Sequence, residues 1–236
     1  MTHRSTFEGG RTETTERMKD RTTARLQRFY GMAHRLYDVF MFESSQEIWE
    51  AVLALLRPAS GERLLDVGCG TGRLAIALAD LVGEEGKVSA VDVSPAMLRQ
   101  AGRQIARTPL ASRIDLRLAD IRTLPYPDGG FDGATASLVL ELLNDEGVRS
   151  ALRELRRVVR PGGRVVLASL AEEMPYGRTL AFYLVLRRIL SLSALGRPLI
   201  LRRLASDAGF VSRISMRRSL LRLPIDILIC EVPKGT

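Results

Sequence analysis

No run of about 18 apolar residues occurs anywhere in the chain, so nothing in it reads as a membrane span. The N-terminal residues also lack the apolar core of a secretory signal, which makes a soluble, cytoplasmic protein the expectation. Cysteine is scarce: Cys69 and Cys230 alone are too few for a metal site and a poor basis for a disulfide, so no metal is expected. Lysine is nearly missing too. Lys19, Lys87 and Lys234 stand against 35 basic residues in all, so the cationic character rests on arginine. No internal repeat or low-complexity tract breaks the chain up, and 236 residues suffice for one sizeable core but not two full domains.

The formal net charge is +8, with a sequence pI of about 10.2. Taken alone, that balance raises nucleic acid or an anionic membrane surface as a partner. Its distribution says more. Met1–Phe40 carries 8 basic and 5 acidic groups, Met41–Leu170 carries 16 and 17, and Ala171–Thr236 carries 11 and 5. The excess lies outside the central block.

Residues 1–17 are polar and without hydrophobic period, and read as a disordered tail. Residues 18–57 read as N-terminal helices. Leu26, Phe29, Tyr30, Ala33, Leu36, Tyr37 and Phe40 share one face of the first, and the second runs from Ser44 or Ser45 to Leu56, ahead of Pro58. From 58 onward strand and helix patterns alternate: "ERLLDV", "GRLAIALADLV", "GKVSAVDV", "SPAMLRQAGRQIAR", "RIDLRLAD", "FDGATASLV", "DEGVRSALRELRRVVR" closed by "PGG", then "GRVVLASL". Such alternation predicts an α/β fold with a parallel sheet covered on both faces. "GFVSRISMRR" and "PIDILICEVP" have no helix between them and should pair antiparallel. The 174–207 stretch, apolar but carrying Arg187, Arg188, Arg202 and Arg203, reads as a helical lid inserted over the carboxyl ends of the strands.

The turn "LLDVGCGTGRLA", Leu64 to Ala75, sits where ligands of open α/β sheets bind. A P-loop is excluded because Arg73 and Leu74, not Lys and Ser/Thr, follow Gly72. A dinucleotide fingerprint fits at Gly68, Gly70 and the later acid Asp92, but its third glycine falls on Arg73, too large for close helix–sheet packing. In front of the turn stands Asp66. A carboxylate there would repel a pyrophosphate and attract an α-ammonium by about a few kcal/mol in a partly desolvated site. The ligand is expected to carry a cation.

Four segments in order, "LLDVGCGTG", "VDVSPAML", "LAD" with "LPYPDGGFDGATAS", and "LRELRRVVRPGGRVVLAS", resemble the class I S-adenosylmethionine-dependent methyltransferases from about Tyr30 onward. The resemblance implies a doubly wound, seven-stranded, mostly parallel Rossmann-like sheet ending in an antiparallel hairpin. It implies S-adenosylmethionine as cofactor and S-adenosylhomocysteine as product. Residue by residue, Asp66, Gly68 and Gly70 would line the methionine moiety, Asp92 would accept the ribose hydroxyls, and Met97 would pack on adenine. Asp120 would accept from the adenine amino group with the Ile121 N–H beside it, and Ser137 and Leu138 would edge the methyl-transfer site. A strand-end cap is the other reading of Asp120, and helix core the other reading of Met97. Cys69, inside the turn, reads as packing.

Nucleic-acid relatives carry marks this chain does not have. "TASLVLEL" stands where an Asn/Asp-Pro-Pro-aromatic tetrapeptide would follow the fourth strand, neither cysteine has a Pro-Cys context, the Lys-Asp-Lys-Glu set is missing, and no aromatic stacking platform accompanies the basic residues. "YGMAHRLYD", Tyr30 to Asp38, is similar to the N-terminal helix of the ubiquinone/menaquinone-biosynthesis C-methyltransferases and related phospholipid and small-molecule methyltransferases. That likeness implies Tyr37, with Tyr30, at the methionine end as catalytic candidates, against a reading as a packing stripe. His34 on the same helix is either a base or a packed histidine.

The expected function is methyl transfer to a hydrophobic acceptor, a prenylated quinone precursor or a phospholipid amine such as phosphatidylethanolamine. Peripheral contact with an anionic membrane goes with it. A soluble secondary metabolite as acceptor, a non-catalytic cofactor-binding scaffold and a nucleic-acid methyltransferase are the alternatives.

Overall fold

The computed structural model describes residues 45–173, Tyr183, 196–220 and 223–234. The tail at 1–17, the helix with Tyr30, His34 and Tyr37, and most of the 174–207 stretch lie outside the described residues.

Helix α1 spans 45–56 and is followed by the alternating units: β1 (Arg63–Val67), α2 (Arg73–Leu81), β2 (Lys87–Asp92), α3 (Pro95–Ile105), β3 (Ile114–Leu118), β4 (Phe131–Ser137), α4 (Asp145–Val158) and β5 (Val159–Leu170). Helix α5 (Leu201–Asp207) then leads into β6 (Val211–Leu220) and β7 (Leu223–Glu231). The seven strands order as β3-β2-β1-β4-β5-β7-β6. β1 to β5 run parallel; β7 lies antiparallel between β5 and β6. The hairpin follows from chain length, because a parallel return needs a crossover of a dozen or more residues.

Alternate residues of the buried strands feed two cores. Leu65, Val67, Ala134, Val165 and Leu228 face α4 and α5, while Leu64, Val88, Val166, Ile225 and Ile227 face α1 and α2. The period of two thus makes "RLLDV" hydrophobic on both sides, as a central parallel strand requires. The end of the 174–207 stretch joins the first core: Leu201 and Ala205 of α5 are buried with Leu155 and Phe210, while Arg202 and Arg203 are exposed.

One boundary departs from the sequence expectation. Helix α4 stops at Val158 rather than Arg160, and "PGG" lies inside β5 instead of separating helix from strand. Val159 pairs with Phe131 and Arg164 with Gly133, so the residues between bulge outward. Pro161 offers no N–H to the ladder and Gly162 takes φ +75°, which together let the strand bend and resume.

Arg164, just after that bulge, ties α1 to the sheet. Its Nε donates to the Leu56 carbonyl, Nη2 to the Arg57 carbonyl at 2.9 Å, and Nη1 and Nη2 to the two Glu62 oxygens at 2.7 Å each. Arg164→Ala would leave the carbonyls at the end of α1 without this donor and Glu62 with only the Ala59 N–H at 2.9 Å. It is expected to cost about 2–3 kcal/mol, read as a lower urea midpoint at unchanged slope.

Candidate functional site

In strand order the sheet reverses between β1 and β4, and the crevice at the carboxyl ends there is where an α/β sheet holds its ligand. Register places Asp66 beside both Ala90 of β2 and Thr135 of β4. The strand ends therefore bring Asp66, the glycine turn, Asp92 and Ser137 together, though 71 residues separate the first from the last.

Gly68, Gly70 and Gly72 have φ of +69°, +52° and +80°, a region that side chains resist. Their surroundings differ. A Cβ on Gly68 would meet Val139 Cγ2 at 2.5 Å, whereas one on Gly70 would meet nothing within 4 Å. Gly68 is thus a packing glycine under the loop after β4, and Gly70 faces open space. Gly72 is the left-handed N-cap of α2, whose first turn carries neither a side-chain cap nor an acid. Its N–H groups suit an incoming carboxylate.

Asp66 is 2% exposed. Thr135 Oγ1 donates to its Oδ1 at 2.9 Å, and its enclosed Oδ2 has no partner among the described residues. Burial pushes its pKa up to about 7; the Thr135 hydrogen bond opposes the shift and the Asp92 charge adds to it. Asp92 accepts from the Gly70 N–H at 2.9 Å through Oδ2 and from the Ser94 N–H at 2.8 Å through Oδ1, so it fixes the glycine turn with its second lone pairs still available. Its pKa also rises, through burial, against the pull of the Ser94, Gly70 and Val93 N–H groups. Cys69, between these acids, has a thiol pushed well up by burial and by both carboxylates, which leaves it protonated and packed.

The adenine-side residues are placed less uniformly. Met97 is 2% exposed on the buried face of α3 with Ala101 and Ile105, under a helix start that Ser94 caps. The Asp120 carboxylate accepts from the Arg122 backbone N–H at 2.9 Å and from the Arg122 guanidinium, which closes the turn after β3. Ile121 is buried in the α4 core. Ser137 ends β4 with an enclosed hydroxyl that lacks a partner among the described residues, and Leu138 after it has φ +56°, a strained value for a non-glycine residue.

Sequence reading passed over Thr135, Ser169 and, above all, Glu141. This acid lies in the short 3-10 turn Leu140–Leu142 after β4 and is 6% exposed. Burial pushes its pKa up to about 7, opposed by its own N–H, the Ser169 hydroxyl at 3.0 Å and the Leu170 N–H. Its carbonyl accepts from the Arg197 N–H at 3.0 Å, and the Tyr183 hydroxyl donates to the Gly196 carbonyl at 3.2 Å, so this turn is clasped to the end of the 174–207 stretch. A lone acid in the apolar run "LVLELL" was the signal available.

A methyltransferase-domain family model matches residues 64–163, the stretch from β1 into β5. A demethylmenaquinone methyltransferase of Bacillus licheniformis is 32% identical over 171 residues, covering 70% of this chain and 72% of that one. This chain belongs to the class I S-adenosylmethionine-dependent methyltransferases. A demethylmenaquinone methyltransferase of Desulfitobacterium hafniense is 36% identical over 132 residues, which are 56% of this chain and 51% of that one. The chain spans about half the length of that relative. Among solved structures, the [4+2]-cyclase SpnF superposes with a TM-score of 0.73 at 20% identity, covering 90% of this chain and 97% of its own, a likeness of fold alone.

The unpartnered Oδ2 of buried Asp66 suits an ammonium, the two-oxygen face of Asp92 suits vicinal hydroxyls, and the open space over Gly70 admits a ligand close to the backbone. The residues fit S-adenosylmethionine. Among the described residues there is no cluster of His, Cys, Asp or Glu able to hold a metal, and no helix is long and apolar enough to cross a membrane.

Proposed function

We propose that this protein transfers a methyl group from S-adenosylmethionine to a hydrophobic quinol-type acceptor. When bound, that cofactor supplies a methyl on an activated sulfonium, which leaves the protein to align, desolvate and manage a proton. Asp66 would hold the ammonium, Asp92 the ribose hydroxyls, and Gly70 would allow the close approach of backbone to the methionine end, with Gly68 packing the turn against Val139. Met97 would wall the adenine, Asp120 would accept from its amino group with the Ile121 backbone N–H beside it, and Ser137 would edge the methyl-transfer site. Tyr30 and Tyr37 would belong to an N-terminal cover at 18–57, and the part of the 174–207 stretch ahead of α5 would form a cover over the acceptor, its arginines meeting an anionic surface.

The observation that carries the reading is the buried Asp66 with one oxygen still to be paired, beside Asp92 on the next strand. Glu141 supports the acceptor class, because a buried carboxyl titrating near neutrality can hold the proton a quinol sheds as it is alkylated. The two demethylmenaquinone methyltransferases favour a quinol over a phospholipid amine.

Labelled S-adenosylmethionine should be offered with a detergent-dispersed demethylated naphthoquinol and, separately, with phosphatidylethanolamine vesicles. Label in the naphthoquinol is expected. Glu141→Gln should lower that turnover by roughly 10² or more while calorimetric cofactor binding stays intact. Label in phosphatidylethanolamine alone would replace the quinol reading. Cofactor binding with no label in either acceptor would overturn it.

A further inference from the structure

A second basic feature lies on the outer side of α2 and α3, beside the glycine turn but with a lining of its own. There a groove of about 530 Å³ is lined by Arg73 at the start of α2 and by Gln100, Arg103, Gln104 and Arg107 at the end of α3 and just beyond. Among the described residues no carboxylate lines it. Arg99 and Arg103 stand four residues apart on α3, a spacing that sets like charges side by side along a helix and weakens it, and Arg107 follows just past its end. Nothing on the helix compensates, since α3 contains no acid.

Helix α4 is just as rich in arginine and is built differently. Arg149 and Arg153 pair with Glu146, and Arg157 with Glu154 and Asp128. Arg99, Arg103 and Arg107 make no ion pair among the described residues. A favourable interaction with the carboxyl end of α3 explains a cation in its last turn. It does not explain why Arg73, from another helix, converges on the same concavity.

We propose that the α2/α3 groove binds a phosphate-bearing anion of at least two charges, recognised by the guanidinium groups of Arg73, Arg103 and Arg107. Forked guanidinium donors match phosphate oxygens in pairs, and Gln104 adds a neutral donor beside them. The same chemistry is offered by the headgroup of an anionic phospholipid and by a soluble phosphate ester. This site is independent of the proposed acceptor.

Inorganic pyrophosphate should be titrated calorimetrically into the full chain. The protein should also be floated with vesicles of phosphatidylcholine alone and of phosphatidylcholine with phosphatidylglycerol. Saturable pyrophosphate binding is expected, falling by on the order of tenfold or more in the double variant Arg103→Gln/Arg107→Gln. The double variant Arg149→Gln/Arg153→Gln, which removes the same charge from α4, should leave it unchanged. Glutamine keeps helix propensity at these exposed positions, so the melting temperature should barely move. Flotation with phosphatidylglycerol that is lost in the α3 variant assigns the groove to lipid headgroups; pyrophosphate binding without flotation assigns it to soluble phosphates. Equal losses in both variants would mean a net-charge effect and would overturn the proposal, as would neither binding nor flotation.

Discussion

Raising the pH from about 5 to about 8 is expected to weaken the ligand-free fold and to tighten its grip on S-adenosylmethionine, with Asp66 contributing to both trends. The folded pKa of Asp66, pushed up to about 7 by burial, lies above that of an unfolded aspartate. Folding therefore favours the protonated form. The corresponding stability is complete at low pH and is lost as pH rises through about 7, a total on the order of 4 kcal/mol if nothing relaxes. Glu141, also near 7, adds a similar slope. The carboxylates with the opposite shift do not mask it. In Glu62 and Asp132 burial pushes upward but is outweighed by hydrogen bonds and charges from arginine and backbone partners, while Arg157 pulls Glu154 down, so all three are ionised throughout this window.

Cofactor binding runs the other way. Only the ionised Asp66 attracts an ammonium, so affinity should fall by up to about tenfold per pH unit below 7 and level off above it. Asp66→Asn should remove most of that dependence together with roughly 10- to 100-fold of affinity, and should leave the Glu141 slope in the urea denaturation of the ligand-free protein. Calorimetry and denaturation across the same pH series measure both. A cofactor affinity independent of pH in the wild type would be incompatible with an Asp66–ammonium pair.

The second large effect separates two glycines that look alike in the sequence. Gly68→Ala places a methyl group 2.5 Å from Val139 Cγ2 at a φ of +69° and is expected to cost about 2–5 kcal/mol of stability, part of it recovered by Val139→Ala. Gly70→Ala meets no protein atom within 4 Å and carries only the strain of φ +52°, about 1 kcal/mol. Its damage should fall on the ligand: a melting temperature close to wild type with S-adenosylmethionine affinity down by on the order of 100-fold. The opposite pattern, a stable Gly68→Ala and an unfolded Gly70→Ala, would place the ligand on the wrong side of the turn.

A TM-score of 0.73 to a cyclase shows how far this sheet can serve different reactions, so the chemistry has to be argued from the site. Much of the site is legible in the chain. Left-handed turns select glycine locally, an acid in front of the turn repels or attracts ligands by its charge, and strand-length apolar runs alternate with helix-length amphipathic ones. These are near-neighbour properties, which is why the amino-acid order alone points to Asp66, Gly68, Gly70, Asp92 and the closing hairpin.

What the tertiary structure alone decided depends on residues far apart in sequence. The order β3-β2-β1-β4-β5-β7-β6 brings Thr135 to Asp66 across 69 positions and Ser169 to Glu141 across 28, and burial in that packing raises both carboxyl groups to about 7 against the pull of those partners. The same packing put "PGG" inside a strand and gave the Asp120 carboxylate to Arg122. Residue type and local period fix where the chain turns and which face it buries. Desolvation and long-range partners fix what charge a buried group carries, and these exist only once the sheet has formed.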